Sequence, residues 1–352
     1  MGLIRRIARA RLAARVIRRL RQAGVTDTRY HAAAFEIRFT APGDTEPTIL
    51  QLEPLLAERH RRKAADDYVA GLIRTPGLPA DWSAAAPMLR PVLRGFAPGA
   101  PLRRPAWPFL SEFVVVDQPD TMTYVTPAQL TTWDVTADLV FARARANLPG
   151  AVLKGVATGP IVVRFVDDGD AYWTSHLLLE GWLGRLAEQV GGVPVAFAPE
   201  RGTLLVTADG GEHLPGLFVQ AEELFLSSAR GLTPMAYVSD DDGCTVPYSA
   251  PPGHPLRPLV QRAERVLAVR EYARQAADSA DPLAALTLAG SVTDGWRTRA
   301  VWDRDAPALL PEADEVQVGD RTLPWSALAP HLTRVEDSHP PRWSATGWPE
   351  DL

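Results

Sequence analysis

Cysteine occurs once in 352 residues, at Cys244, and lysine twice, at Lys63 and Lys154. A lone cysteine excludes an internal disulfide, and with it a disulfide-stapled scaffold; a reducing cytoplasm is the expected compartment. No apolar run approaches the ~18 residues that a membrane-spanning helix needs. The basic opening residues are not followed by the uninterrupted apolar stretch of a secretory leader. The motifs with the most specific chemistry are also missing. There is no G-x-S-x-G elbow, no H-E-x-x-H helix and no cysteine pair at zinc spacing. Gly150–Gly159 is rich in glycine, but it fits neither the P-loop nor the dinucleotide fingerprint. No cofactor is expected. What remains is an ordinary globular composition, with 46% apolar and 22% charged residues. The length suits about two to three domains.

Charge is unevenly placed. The net charge is −5, yet residues 1–30 carry nine arginines against the single acid Asp27. Nucleic-acid binding by the whole chain is therefore disfavoured, because counterion release needs a concentrated basic face. Only residues 1–24 could supply one, for nucleic acid or for an anionic membrane surface. Within the predicted helix 3–23, Leu12, Val16, Ile17 and Leu20 share one arc. Arg11, Arg15, Arg18 and Arg19 lie opposite and are candidate partner-binding residues. A solvated basic face is the ordinary reading of such a run. Leu3, Ile4 and Ile7 leave the stripe, so the helix either breaks near Ala8–Ala10 or makes two different contacts.

The patterning predicts an α+β chain. Residues 1–75 read as a small α-β-β-α unit: the arginine helix, extended segments His31–Thr40 and Thr48–Glu53, and a helix Pro54–Arg74. Residues 76–108 hold eight prolines and read as a connector with one short helix near Trp82–Leu93. Residues 109–250 read as a larger, mainly antiparallel central domain. It has a hairpin at Phe113–Asp117 and Thr123–Val125 and a helix Pro127–Asn147 capped by Thr126. A strand Ile161–Val166 and a helix Thr174–Val190 follow. Strands Val193–Phe197 and Thr203–Thr207, a helix Gly216–Arg230 and a last hairpin around Asp240–Gly243 complete it. Residues 251–352 read as one helix, from Leu256 to about Ala277, and a Trp/Pro-rich appendage. That appendage carries five of the ten tryptophans, and little regular structure is expected in it.

An ordered set of short pieces runs through the middle of the chain. Pro91–Val92–Leu93–Arg94 comes first, then Ala146–Asn147–Leu148, then Asp168–Gly169. Ser175–Glu180, Val195–Pro199, Leu204–Val206 and Gly231–Pro234 follow. From about Arg11 to Tyr248 this order resembles the YtpQ-like family, a bacterial family of unknown function. The resemblance implies a shared domain layout and singles out Asn147, Asp168, Gly169, Glu180 and Pro199. It implies no activity. Glu200–Arg201–Gly202 departs from the family, which tends to place a polar residue and then Asp or Gln-Asp after that proline.

Candidate chemistry is sparse. Asp167, Asp168 and Asp170, with Asp240, Asp241 and Asp242, could gather as oxygen ligands for a hard metal; Asp-Gly turns arise more often for backbone reasons. His176 and Glu180 would share a helical face, but a zinc site needs a further ligand. Cys244, in a predicted strand, reads as a buried or half-buried small hydrophobe. Three functions stay open. One is a non-catalytic cytosolic binding or adaptor protein acting through protein–protein contacts. Another is an enzyme with carboxylates such as Asp168 and Glu180 in a cleft. The third is a recruiter docking through residues 1–24.

Overall fold

Twenty residues without proline or glycine, Leu3–Gln22, form helix α1 without a break at Ala8–Ala10. The computed structural model describes residues 3–22, 25, 28–39, 48–57, 78–95, 100–118, 121–150, 156–166, 172–279, 281, 283–303, 307–336, 338–345 and 347–348. They fall into two units, one of Met1–Met88 with Val116–Thr123, the other of Leu89–Val115 with Tyr124–Leu352.

In the first unit, α1 buries Leu12, Ala13, Val16 and Leu20. These pack with Phe35, Ile37, Leu50 and Leu52 around an antiparallel sheet. Its strands β1 (Thr28–His31), β2 (Glu36–Phe39) and β3 (Thr48–Gln51) lie in chain order. The extended segment expected at His31–Thr40 is thus divided by a turn. Phe35, in the left-handed region at φ 54°, closes that turn and points its ring inward. Helix α2 spans Glu53–Ala57; the rest of the expected helix to Arg74 lies outside the described residues. Helix α3, Trp82–Ala85, starts where the Asp81 carboxylate accepts from the Ala84 N–H at 2.9 Å.

The proline-dense stretch is more regular than expected. It holds strands β4 (Leu89–Arg94) and β5 (Arg103–Trp107), which flank β6 (Leu110–Gln118). Proline lacks the N–H that a central strand needs, and Pro91 and Pro105 lie in these outer strands. Strand β7 (Thr121–Tyr124) pairs with β6 as the expected hairpin. The helix expected over Pro127–Asn147 is two helices, α4 (Pro127–Trp133) and α5 (Ala137–Ala146). Asp134 breaks them apart at φ 53°, ψ 51°, a conformation no continuing helix allows. Thr126 does cap the first, in a capping box with Gln129.

The centre is an antiparallel five-stranded sheet ordered β12-β11-β9-β10-β8. Its strands are β8 (Val162–Val166), β9 (Pro194–Glu200), β10 (Thr203–Ala208), β11 (Ala236–Ser239) and β12 (Thr245–Pro247). Alternation feeds two cores. Val195, Phe197 and Leu205 face helices α7 (Leu214–Ser227) and α8 (Arg257–Asp278). Ala196, Ala198, Leu204 and Val206 face Leu177, Trp182, Leu183 and Leu186. Those last residues do not form the expected helix Thr174–Val190. Two 3-10 turns, Trp173–Leu178 and Gly184–Leu186, precede the short helix α6 (Ala187–Val190). Gly181, at φ 67°, separates them.

The expectation of an irregular C-terminal region is corrected. Strands β13 (Ala285–Ser291), β14 (Gly295–Trp302), β16 (Glu315–Val318) and β17 (Arg321–Pro324) form one sheet. Strands β15 (Ala308–Pro311), β18 (Thr333–Arg334) and β19 (Arg342–Ala345) form another. Most are four residues or fewer, too short to show a period in the sequence. Tryptophan contacts anchor them, Trp302 on Trp348 at 5.7 Å and Trp325 on Trp343 at 5.4 Å. Strands β14 and β16 run parallel. The class is α+β with mostly antiparallel sheets.

Candidate anion-binding site

Several arginines in the larger unit meet carboxylates. Glu112, 1% exposed, accepts from Arg104 at 2.7 Å and from the Nε and Nη2 of Arg145 at 2.9 and 2.7 Å. The same side-on fork of Arg262 grips Glu222, with both bonds at 2.7 Å. Arg299 pairs with Glu315 and Arg265 with Asp314.

Arg94 is held differently. It ends β4, is 8% exposed, and spends its Nη1 on the carbonyl of its neighbour Leu93 at 2.6 Å. Its Nε is buried with no acceptor among the described residues. The Tyr124 hydroxyl accepts a hydrogen bond from this guanidinium, and the Tyr172 hydroxyl and the Arg230 guanidinium act on it electrostatically. Arg201 repeats the pattern. Its Nε is also buried without an acceptor among the described residues, and it faces Arg94, Tyr124 and Arg230. Burial first, then the Arg94 charge, pull the Arg201 pKa down to about 10. Burial likewise lowers that of Arg94.

The fold places these three cations by backbone contacts. The Arg201 N–H donates to the Arg230 carbonyl at 3.2 Å, and Glu200 bridges Gly231. Gly231 is required there, since a Cβ would lie 2.6 Å from the Phe225 carbonyl oxygen. The Leu232 N–H donates to the Pro199 carbonyl at 2.9 Å. On the other side, the Asn147 amide donates to the Leu89 carbonyl at 2.9 Å and ties β4 to the end of α5. Two acids close by are committed elsewhere. Glu200 accepts from Thr203 and Ser228, and Glu271, behind Gly95, pairs with Arg274 at 2.9 Å. Exposure is graded, from exposed Arg230 through half-buried Arg201 to buried Arg94. Three donors of one sign, partly desolvated and with no described carboxylate among the groups they face, make a cationic cluster whose chemistry suits an anion.

The positions singled out from sequence are spread over the fold. Asn147 and Pro199 make the contacts just described. Asp167, Asp168, Gly169 and Asp170 lie outside the described residues. His176 is buried between Trp173 and Trp182, whereas Glu180 is exposed past the 3-10 turn, so they do not share a helical face. Asp240 uses its carboxylate locally, accepting from Asp242 and Cys244 N–H groups at 3.1 and 2.8 Å. No metal-ligand group of three forms among the described residues. Cys244 precedes β12 and is exposed, which corrects its reading as a buried or half-buried strand residue. Arg11, Arg18 and Arg19 are exposed and Arg15 half-buried, on the face of α1 away from Leu12, Val16 and Leu20. A surface depression of about 600 Å³ is lined by Ala14, Ile17, Arg18 and Arg21.

Sequence reasoning missed Arg94, Arg201, Arg230, Tyr124 and Tyr172 as a site. Two signals were available: a charged residue closing the apolar run Val92–Leu93, and the turn Glu200–Arg201–Gly202, where the sequence departs from the pattern it otherwise resembles.

Comparison with protein-family models, with curated proteins and with solved structures finds no match. No helix among the described residues is long and apolar enough to cross a membrane.

Proposed function

We propose that this chain is a non-catalytic binding protein of the cytoplasm, and that it engages a protein partner through an anionic group seated against Arg94, Arg201 and Arg230. The observation that carries this reading is the buried Nε of Arg94, without an acceptor among the described residues and beside two further guanidiniums. An uncompensated buried charge destabilises a fold by several kcal/mol in general (~3–5 kcal/mol when one partner of a buried pair is removed), so a bound anion returns part of that cost. The exposed thiol of Cys244 suits a reducing compartment. Membership of the YtpQ-like family belongs to the same proposal. Its support is that Asn147 and Pro199, two positions of the resemblance, hold the strands that carry Arg94 and Arg201.

The test is thermal unfolding of the full chain in chloride, citrate or phosphate at matched ionic strength. An anion that binds the folded state at a hundred times its Kd stabilises by about 2.7 kcal/mol. The polyvalent anions should raise Tm over chloride in the native chain and much less in Arg201→Gln. Equal shifts in both proteins would contradict the assignment of the site.

A further inference from the structure

We infer that the anion this site takes is a phosphate monoester. The inference rests on the anion-binding reading and adds the ligand's chemistry. A carboxylate brings one charge and two oxygens, and inside this protein a single fork already satisfies one, as Arg262 does for Glu222. The cluster brings three guanidiniums to one place, with Tyr124 and Tyr172 hydroxyls beside the innermost. One carboxylate would leave most of that charge uncompensated. A phosphate monoester carries about −1.5 to −2 at neutral pH and presents three acceptor oxygens. Guanidinium forks match those oxygens in geometry as well as sign.

The exposure gradient gives the approach. The phosphoryl group enters past exposed Arg230, meets half-buried Arg201, and has Arg94 as its floor. The bridge between Glu200 and Gly231 fixes the spacing of Arg201 and Arg230 through backbone atoms, so the outer pair is preorganised. Arg94 is held by the Leu93 carbonyl and the Tyr124 hydroxyl, which leaves its Nε without an acceptor among the described residues. Nε is one of the two donors that Arg145 and Arg262 use for oxygen pairs.

Isothermal titration of the full chain at constant ionic strength tests this. The probes are inorganic phosphate, acetate and succinate. A phosphoserine peptide, its unphosphorylated form and glycerol 3-phosphate report the source of the phosphoryl group. The expected result is saturable binding of inorganic phosphate, at least tenfold tighter than either carboxylate, and at least tenfold weaker in Arg230→Gln. Arg230 is exposed, so that variant keeps the fold. Arg94→Lys keeps the charge without the fork and should lose most of the preference for phosphate. Tighter binding of the phosphopeptide than of glycerol 3-phosphate supports a protein source, and the reverse supports a small molecule; both support the monoester. Carboxylates binding as tightly as phosphate would overturn the monoester and leave the anion site standing. Absence of binding by every anion, or phosphate binding unchanged in Arg230→Gln, would overturn both.

Discussion

Two buried arginines make opposite uses of the same side chain. Arg342, 1% exposed, donates to the Gln275 amide oxygen at 2.7 Å and to the Ala284 and Leu309 carbonyls at 2.9 Å. It thereby stitches β19 and β15 to α8. Arg94 bonds its own neighbour Leu93 at 2.6 Å and the Tyr124 hydroxyl, and keeps its Nε without an acceptor among the described residues. Their substitutions should therefore move stability in opposite directions. Arg342→Met strands buried acceptors and should cost about 3 kcal/mol or more. Arg94→Met removes an uncompensated charge and should be neutral or stabilising by ~1 kcal/mol, while weakening phosphate binding at least tenfold. Urea unfolding and titration on the same two proteins check this. Loss of stability in both would mean that Arg94 is structural.

At the scale of elements, the turn geometry behind the site is the sensitive part. Gly231→Ala would press a Cβ against the Phe225 carbonyl and ring edge, at 2.6 and 3.0 Å. The Glu200–Gly231 bridge must then shift, and Arg201 with it. We expect a loss of about 1–3 kcal/mol, as for other overpacked positions, accompanied by weaker phosphate binding. Chemical denaturation and titration together separate this from a purely local strain.

The same scale shows what the amino-acid sequence makes legible. Helices that begin with a proline in the first turn, such as Leu214–Ser227 and Arg257–Asp278, and hairpins with Asp-Gly or Glu-Arg-Gly turns are readable, because their signals are local. The 3-10 turns at Trp173–Leu178 escape the reading because their apolar residues mimic a helical face while Gly181 ends it. Strands at Pro91 and Pro105 escape because being an edge strand is a property of the sheet, not of the segment. The arginine site escapes for a related reason. Arg94, Arg201 and Arg230 come from the end of β4, the β9–β10 turn and the segment after α7, and only the folded sheets bring them together.

For the whole molecule, alkaline pH probes how its buried phenols are held. Burial pushes both Tyr248 and Tyr272 up to about 12. Tyr248 donates to Asp209 at 2.9 Å, whose charge also opposes ionisation; Tyr272 donates to the Pro341 carbonyl at 2.7 Å, near Glu312 and Arg342. An unfolded tyrosine ionises near ~10. Between about pH 10 and 12 the unfolded chain releases protons that the folded chain keeps, so stability is full below that window and falls through it. Tyr248→Phe should flatten part of the fall. Urea midpoints measured from pH 8 to 12 for both proteins would show it, and identical slopes would contradict the assignment of Tyr248.

The central claim concerns three guanidiniums, and their own nuclei report on it. Arginine ¹⁵Nε–¹Hε correlation spectra of the full chain, assigned with Arg94→Lys, Arg201→Gln and Arg230→Gln, would be followed during addition of inorganic phosphate at constant ionic strength. The account predicts saturating shifts confined to Arg94, Arg201 and Arg230, with carboxylate-paired Arg145 and Arg262 unmoved. Uniform small drifts across all arginines, or saturating shifts on the arginines of α1 instead, would contradict it.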